Sequence, residues 1–334
     1  MKSKNERSVS QMEIARRLGI SIATVSRVLS GKADTVRCVA PGTVKRVRDT
    51  AARLGYRMNF AGRMLRTRRA NAVGLLFSSM SPSYLELVTE LQRQLFARGY
   101  AALCGFWATE EDAGPTISAV VERDVDGIIT CHWPDVMRRL APDVPTVFYL
   151  GHDPSLDCVN PGGDLSPLLA HLAERGHTRV LLYGNWRPDN CRFPGLDLEC
   201  VRTSDLPLDA LADTLFAKRD APARPTAAVC AGDATASLLA AHLMRLGFRV
   251  PGDVAVAATN SNRAYQTAVP PITTFGVATA DLAKALVNAL FLRLENRDAP
   301  PQQIFLPPTL TVRASTLPAS YARMSVSMVL ESGG

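Results

Sequence analysis

From residue 72 onward, short apolar segments alternate with longer amphipathic segments, and this alternation constrains the fold more than any other feature. Seven apolar segments predict strands, at 72–77, 101–105, 127–131, 146–150, 180–183, 227–231 and 254–258. Six segments with helical spacing of apolar residues lie near 83–98, 114–123, 164–175, 208–218, 233–246 and 279–296. Strands that alternate with helices favour doubly wound parallel sheets. Such sheets bind ligands outside the carboxyl ends of their strands, so we expect a ligand site there.

The first 58 residues lack this alternation and predict a small all-α domain. Ser10 followed by Glu13 matches a capping box, in which each side chain accepts a hydrogen bond from the backbone N–H of the other residue. Gly19 is expected to end this first helix in a left-handed conformation. Ser21 can cap a second helix that runs to about residue 29, and Pro41 begins a third. Two short helices joined by a glycine-containing turn indicate a helix-turn-helix motif.

Charge separates these two regions of the chain. Residues 1–70 contain 17 of the 38 basic residues but only four of the 31 acidic residues, so the rest of the chain is mildly acidic. A basic head on an acidic body is typical of a nucleic-acid-binding module joined to another domain. The alternative is a basic face that is merely solvated or lies on a membrane surface.

The second helix is the part of the head expected to bind DNA. If it lies in the major groove, its first residues face the base edges. Arg27 can donate two hydrogen bonds to a guanine, worth roughly 1–3 kcal/mol of discrimination, whereas Ile22 and Ala23 can make only apolar contacts. The predicted base contacts are Ser21, Ile22, Ala23 and Arg27, and the predicted backbone contacts are Thr24 and Ser26. The alternative is a helical pair that binds no DNA.

The same residues carry a resemblance to a known family. Residues 15–31 read Ala-Arg-Arg-Leu-Gly-Ile-Ser-Ile-Ala-Thr-Val-Ser-Arg-Val-Leu-Ser-Gly, and Leu54-Gly55-Tyr56 and Asn59 follow. This pattern resembles the signature of the lactose-repressor/galactose-repressor family. Motifs of the body match that family in order, at 74–76, 126–129, 175–180, 224–229, 246–254 and 271–274. The segment 32–38 is longer than the usual family loop, which affects a further predicted DNA-backbone contact, Arg37.

The resemblance covers nearly the whole chain and implies its organisation. It implies a helix-turn-helix domain at 1–58, a hinge at 59–70 and an effector-binding and dimerisation body at 71–334. The body is expected to be similar to periplasmic binding proteins, with two doubly wound α/β subdomains that the chain crosses near 157–161, 273–278 and 306–309. The implied partners are a second copy of the chain, a pseudo-palindromic double-stranded DNA operator and a small-molecule effector in the cleft.

The hinge carries three further predicted DNA contacts. A helix over 59–69 is too short to be stable alone in water. In the family this segment folds on the operator, and paired hinges insert a leucine into the minor groove. By position that residue is Leu65, flanked by Gly62 and Arg66. Gly62 replaces the usual alanine, which lowers helix stability by roughly 0.5–1 kcal/mol. The alternative is a linker whose arginines only attract phosphate.

Five body residues are effector-site candidates by resemblance. Asp233 lies where the family has a carboxylate for ligand hydroxyls or amines, although it can equally cap the helix at 233–246. Arg192 resembles the arginine of an Arg-x-x-Gly-Phe motif, although an ordinary surface-loop arginine is the alternative. Asn160 and Asn260 stand where aspartate is common, and Tyr84 keeps the aromatic character of an Asn-Pro-Phe-Phe loop.

The segment 184–225 is shorter than in the family and lacks the helix expected after the Arg192 motif. The expected pocket is therefore reshaped, which leaves two functions open. One is a repressor whose operator affinity is modulated by a sugar-like or nucleobase-like molecule. The other is a regulator that binds DNA without an effector.

Other classes of function are disfavoured. No G-x-S-x-G, Walker A, H-E-x-x-H or G-x-G-x-x-G motif stands in a strand–turn–helix context, so we expect no catalysis, cofactor or metal. Seven scattered cysteines without a C-x-x-C pair indicate a reducing compartment. The absence of a signal-peptide-like or membrane-spanning apolar run predicts a cytoplasmic protein that does not bind membranes. A free solute-binding protein would fit the body but not the basic head.

Overall fold

The structure is a computed structural model that describes residues 9–29, 36–56, 69–78, 81–131, 134–151, 153–186, 192–216, 224–232 and 234–317. The chain divides into two compact units, Met1–Ala70 and Asn71–Gly334, which we call the head and the body.

The head is built from three helices in its described part: α1 (Gln11–Leu18), α2 (Ile22–Leu29) and α3 (Pro41–Arg53). Each helix contributes apolar residues at helical spacing to one shared core. The buried members of that core are Ile14, Ala15, Val25, Val28, Val47 and Ala51. The predicted all-α helix-turn-helix arrangement is confirmed.

The ends of α1 follow from its sequence, with one correction. The Ser10 hydroxyl accepts a hydrogen bond from the Glu13 N–H over 3.2 Å, and Gly19 is left-handed with φ of 63°. The predicted reciprocal bond from Glu13 back to Ser10 is wrong. The Glu13 carboxylate instead binds Arg16 over 2.7 Å and Arg17 over 2.8 Å, because both arginines lie one turn away on the same exposed face.

The body contains two six-stranded sheets. The first consists of β1 (Ala72–Phe77), β2 (Ala101–Phe106), β3 (Gly127–Thr130), β4 (Thr146–Tyr149), β5 (Asp157–Pro161) and β11 (Gln303–Leu306). The second consists of β6 (Arg179–Tyr183), β7 (Asp197–Val201), β8 (Ala227–Cys230), β9 (Ala255–Ala258), β10 (Thr273–Gly276) and β12 (Thr309–Thr311). Their orders are β11-β5-β4-β3-β1-β2 and β12-β10-β9-β8-β6-β7, and only β12 runs antiparallel to its neighbour.

Helices connect and cover these strands. In the described part of the body they are α4 (Pro82–Ala97), α5 (Glu110–Val121), α6 (Pro134–Leu140), α7 (Ser166–Ala173), α8 (Leu208–Phe216), α9 (Thr235–Arg245), α10 (Arg263–Thr267) and α11 (Thr279–Glu295). A short 3-10 turn, Ala314–Thr316, follows β12. Leu91 and Leu95 of α4 pack with Leu286 and Leu290 of α11 on the first sheet. Each sheet with its helices forms one doubly wound subdomain.

The chain passes between the two sheets three times within the described residues, at 161–166, 276–279 and 306–309. β5 belongs to the first sheet and the following β6 to the second. β10 belongs to the second sheet, whereas α11, which follows it, packs on the first. β11 and β12 lie in different sheets although two residues separate them.

The seven predicted strands occur within one residue of their expected ends, but five strands were not predicted: β5, β7, β10, β11 and β12. Strands at sheet edges need fewer apolar residues, and β7, which begins at Asp197, is such an edge. β5 and β10 contain buried polar residues, for example Asp157 and Thr273, that interrupt the apolar pattern. The helix predicted at 114–123 begins earlier because Thr109 caps it by accepting from the Asp112 N–H.

Candidate functional site

One face of α2 is buried and its first residues are exposed. Val25 and Val28 lie in the core of the head, whereas the side chain of Ile22 is 45% exposed. Ala23 and Arg27 are also exposed. An exposed isoleucine at the start of a helix leaves an apolar group available for a partner surface, which the bases of a major groove provide.

Ser21 begins α2 and is itself exposed. Its hydroxyl accepts a hydrogen bond from the Thr24 N–H over 3.1 Å and lies 2.9 Å from the Thr24 hydroxyl. Ser21 therefore caps α2, as an N-cap serine does. Thr24 and Ser26 are half-buried, and Arg37 is exposed before α3. Four further basic side chains of α3 are exposed: Lys45, Arg46, Arg48 and Arg53.

The body has a cavity of about 500 Å³ between its two subdomains. Six of the residues that line it stand at or directly after the carboxyl end of a strand: Tyr149, Leu150, Pro161, Ala231, Thr259 and Val277. The cavity thus lies where doubly wound sheets are expected to bind ligands. Helix residues complete the wall, with Leu87 from α4 and Thr279 and Leu282 from α11.

Two of the five candidate effector residues, Tyr84 and Asn260, line this cavity. The Tyr84 ring packs against Phe77, with 5.2 Å between ring centroids. Burial raises the pKa of the nearby Cys131 thiol, to which the Tyr84 hydroxyl is hydrogen-bonded. Tyr84 is therefore held against the core of the first subdomain while it lines the cavity.

Asn160 and Arg192 are not among the residues that line the cavity. Asn160 is buried and its amide donates to the Gly151 carbonyl over 2.6 Å, while its Oδ1 has no hydrogen-bond partner in the described structure. Arg192 is exposed in the connection between β6 and β7. Residues 184–186 and 192–196 of that connection contain no helix.

Four candidates lie outside the described residues: Gly62, Leu65, Arg66 and Asp233. The helix expected at 233–246 begins two residues later than predicted. α9 begins at Thr235, and its N-cap is Ala234, which has a left-handed φ of 58°.

Two amides of the second subdomain meet one hydroxyl of the first at the rim of the cavity. The Ser83 Oγ accepts from Asn260 Nδ2 over 3.2 Å and from Asn262 Nδ2 over 3.0 Å. Close by, the Arg263 N–H donates to a Glu86 carboxylate oxygen over 2.8 Å. These bonds join the two subdomains directly.

Sequence reasoning missed Ser83 and Asn262 as site residues. Ser83 lies in the first turn of α4, which follows β1, and Asn262 caps α10, which follows β9. A position at the start of the helix after a strand is the signal that could have identified them. Their partnership had no local signal, because 179 positions separate them along the chain. Leu150 is the last residue of the strand predicted at 146–150, and Thr259 is the first residue after the strand predicted at 254–258. Both cavity residues could have been found from the carboxyl ends of the predicted strands.

The loop that carries Asn260 approaches β10 closely. A Cβ atom on Gly276 would come within 2.7 Å of the Ser261 backbone nitrogen and 2.9 Å of the Asn260 carbonyl carbon. Contacts that short are not tolerated between a side chain and backbone, so glycine at 276 allows this loop to reach the cavity.

Within the described residues, no group of three or more His, Cys, Asp or Glu side chains is placed to hold a metal ion. None of the described helices has both the length and the apolar character needed to cross a bilayer.

Two family models match separate parts of the chain. The model described as bacterial regulatory proteins, lacI family, matches residues 12–59. The model described as periplasmic binding protein-like domain matches residues 169–316. The first match covers the three helices of the head. The second covers most of the second subdomain, together with α11 and β11 of the first.

Similar curated proteins align along almost their whole length. The ribose operon repressor of Escherichia coli strain K12 is 26% identical over 331 residues, which covers 91% of this chain and 98% of the repressor. The HTH-type transcriptional repressor PurR of Vibrio vulnificus strain CMCP6 is 25% identical over 331 residues, which covers 90% of this chain and 96% of the repressor.

Solved structures share the fold. The lac repressor dimer bound to operator and the anti-inducer ONPF matches with a TM-score of 0.70 and 18% identity over 93% of this chain and all of that one. The complex of transcriptional regulator CelR with cellobiose matches with a TM-score of 0.59 and 21% identity, over 92% of this chain and 99% of that one. The predicted body of two periplasmic-binding-protein-like subdomains is confirmed.

Proposed function

The chain belongs to the lacI family of bacterial regulatory proteins, and we propose that it is a transcription repressor that binds a specific DNA operator as a homodimer. The proposed operator is pseudo-palindromic, with one head on each half-site. A small molecule in the body cavity modulates the affinity for that operator. The proposed site of action is the cytoplasm, where the operator lies.

The exposed start of α2 is the observation that carries the DNA-binding proposal. Ile22 and Arg27 are exposed on a helix whose other face is buried in the head core. In the proposed complex Arg27 contacts a guanine, Ile22 and Ala23 contact apolar base edges, and Ser21 meets the groove while its hydroxyl caps the helix. Thr24, Ser26 and Arg37 contact the backbone, which positions the helix.

The hinge contacts proposed for Gly62, Leu65 and Arg66 rest on their place in the sequence. Paired hinges would place Leu65 in the minor groove at the centre of the operator. The dimer proposal is supported by the similarity to a solved repressor that is a dimer on its operator. A dimer doubles the number of base contacts and makes them depend on how the two bodies are arranged.

The proposed regulation is a linkage between the cavity and the operator. A ligand changes operator affinity only through its different affinities for two states of the body. The bonds from Asn260 and Asn262 to Ser83 span the rim of the cavity, so a ligand that changes the separation of the subdomains must keep or break them. Tyr84, Asn260 and Asp233 are the proposed ligand contacts, with Asn160 and Arg192 as candidates outside the cavity wall.

A second candidate function is a repressor that needs no effector. Two observations favour it: Arg192 does not line the cavity, and Ser83 joins the subdomains directly. Catalysis is not proposed, since the family consists of transcription regulators.

Selection of binding sites from a pool of random duplex DNA tests the proposal. The full chain is used at physiological salt, because phosphate contacts alone give sequence-blind binding that salt weakens. We expect enrichment of a site with two-fold symmetry. Enrichment of a single half-site would contradict the dimer, and no enrichment would contradict the operator.

A further inference from the structure

We propose that the outward face of α3 is a second DNA-binding surface of the head, which binds the phosphate backbone of duplex DNA without reading its sequence. This surface goes beyond the operator contacts assigned to α2, because it lies on a different helix and binds in a different mode. The observations that carry it are the charge of α3, the exposure of its basic residues and the packing of its apolar residues.

Four of the 13 residues of α3 are basic, and all four are exposed: Lys45, Arg46, Arg48 and Arg53. Asp49 is the one acidic residue of this helix. A helix rises about 1.5 Å per residue, so the four positive charges lie along roughly 12 Å of its axis. One DNA strand carries a phosphate about every 3.4 Å along the duplex, so about three or four phosphates fit over that length.

The acidic residues of the head are too few to neutralise its basic residues. Residues 1–70 contain 17 basic and four acidic residues. One of the four, Glu13, already pairs with Arg16 and Arg17 of α1. The other three cannot pair with all of the fifteen basic residues that remain, wherever each of them lies. The head therefore keeps a large positive charge for a polyanion such as DNA.

The exposed faces of α2 and α3 lie on different sides of the head. Val25 of α2 and Val47 of α3 are buried in the same core, so each helix turns this side towards the other helices. At about 3.6 residues per turn, Ala23 lies nearly opposite Val25 around α2, and Lys45 lies nearly opposite Val47 around α3. Both residues are exposed and point away from the core in different directions. A head that places α2 in a groove therefore turns Lys45 away from that groove.

Lys45 and Arg48 carry the charge of this outward face. They are three positions apart and so share one side of α3. Arg46 lies on another side, where it donates to the Leu18 carbonyl at the end of α1 over 3.4 Å. Ala52 follows one turn after Arg48 and is exposed. Because its side chain is short, a DNA strand can approach both long basic side chains.

Duplex DNA fits this face better than an anionic membrane does. A helix that lies on a membrane inserts large apolar side chains into the lipid. The apolar residues Val44, Val47 and Ala51 of α3 pack in the core of the head and cannot do so. A phosphate backbone requires only positive charge on a surface that it can approach, and such contacts carry no sequence information.

Salt-dependent binding of a scrambled duplex to the full chain tests the proposal. The variant is Lys45→Gln/Arg48→Gln, since glutamine removes the charge and still favours a helix. Loss of two phosphate contacts should reduce the slope of log K against log salt concentration by about 1.8 for each head that binds. We also expect at least about 10-fold weaker binding at about 50 mM salt.

Arg16→Gln/Arg17→Gln is the matched control. It removes two positive charges from the same head, but both arginines already pair with Glu13. We expect it to change the slope by less than half as much. An unchanged slope in the α3 variant would overturn the proposal. Equal changes in the two variants would also overturn it, because only the net charge of the head would then matter.

Binding to a selected operator separates the α3 surface from α2. The α3 variant should keep an operator affinity within about 3-fold of that of the control variant, so its preference for operator over scrambled duplex should rise. Retained operator binding also shows that the variant is folded. An equal loss of affinity for the two duplexes would place α3 on the same duplex as α2 and overturn the separate surface.

Two further outcomes distinguish this surface from the proposed function and from a membrane partner. If the scrambled-duplex results are as expected but no specific duplex is selected, the α3 surface stands and the proposed repressor function fails. If specific operator binding persists while the α3 variant binds scrambled duplex as the original chain does, the repressor stands and the α3 surface is overturned. Binding that depends on Lys45 and Arg48 to phosphatidylserine vesicles, but not to duplex, would overturn it in favour of a membrane.

Discussion

The side-chain amide of Asn262 donates a hydrogen bond to the Ser83 hydroxyl over 3.0 Å, and this bond joins the two subdomains of the body. Asn262 is buried and also caps α10, since its Oδ1 accepts from the Tyr265 N–H over 3.0 Å. Asn260 donates to the same Ser83 oxygen. One hydroxyl therefore holds the loop that lines the cavity against the start of α4.

Ser83→Ala should weaken this connection. The substitution leaves two amide groups without their acceptor, and one of them is buried, so the free energy of unfolding should fall by about 1–3 kcal/mol. Urea unfolding measures this change. Ser204→Ala is the control, because Ser204 is exposed and its hydroxyl donates to the carboxylate of the neighbouring Asp205. Equal free energies of unfolding for the two variants would show that the hydrogen bonds to Ser83 do not stabilise the body.

Asp157→Asn should be the more damaging of two aspartate substitutions. Asp157 and Arg293 form a buried ion pair with 2.6 Å between Asp157 Oδ2 and Arg293 Nε. The bond to Asp157 raises the pKa of Arg293, but a guanidinium is charged at neutral pH even without such a bond. The substitution therefore leaves a buried charge without its countercharge. We expect a loss of roughly 3–5 kcal/mol of unfolding free energy.

Asp135→Asn is the matched control for that pair. Asp135 pairs with Arg138 on the surface, over 2.8 Å, and its side chain is 95% exposed. An exposed pair contributes at most about 1 kcal/mol. A similar stability loss in the two variants would contradict a role for burial.

The stability of the body should fall on acidification because of His171. Burial lowers the pKa of His171 to about 4, with a further contribution from Arg175, and His171 Nε2 lies 2.8 Å from the Thr316 hydroxyl. The unfolded chain takes up this proton near its ordinary pKa, whereas the folded chain resists it. The stabilisation is therefore complete above about pH 6.5 and is lost towards pH 4, by up to about 3 kcal/mol.

Unfolding free energies of the original chain and His171→Gln, measured from pH 7 to 4, isolate this effect from other titrating groups. The original chain should lose stability more steeply than the variant. Parallel pH profiles would rule out a neutral buried His171 as the cause.

Gly276→Ala should disturb the loop that carries the cavity residues Asn260 and Ser261. The added methyl group would meet the backbone of residues 260 and 261, which cannot move aside as a flexible side chain can. We expect the loop to shift, with a loss of about 1–3 kcal/mol in the free energy of unfolding, measured by urea unfolding. Gly114→Ala is the control, because no atom lies within 4 Å of its added Cβ and alanine favours a helix. A stability of Gly276→Ala equal to that of Gly114→Ala would contradict the close approach.

The strands that the sequence predicts best are buried on both faces. All six residues of β1 are buried, so they read as one apolar run. β5 escaped prediction because Asp157 and Asn160 interrupt its apolar pattern. The burial of Asp157 depends on Arg293, which lies 136 positions away, and no local pattern indicates such a partner.

The candidate site residues also separate into those that a local pattern or the resemblance identifies and those whose role depends on distant parts of the chain. The exposed positions of α2 could be predicted, because helical periodicity fixes which residues enter a small core. Tyr84 and Asn260 were found by resemblance and do line the cavity. Arg192 was selected by a similar motif, but it lies in the connection between β6 and β7 and does not line the cavity. Ser83 was not predicted, because its role arises only where the start of α4 meets the distant loop that carries Asn260 and Asn262.

The ratio of affinities for a selected operator and a scrambled duplex, measured at one physiological salt concentration, tests the central claim most directly. Specific repressors bind their sites at least roughly 10³-fold more tightly than other DNA, and we predict such a ratio here. Arg27→Ala should lower it by about 10-fold or more, since a bidentate contact is lost. Met12→Ala, which changes an exposed residue of α1, should leave it unchanged. A ratio near one, or equal ratios for the original chain and Arg27→Ala, would contradict an operator-binding repressor that uses α2.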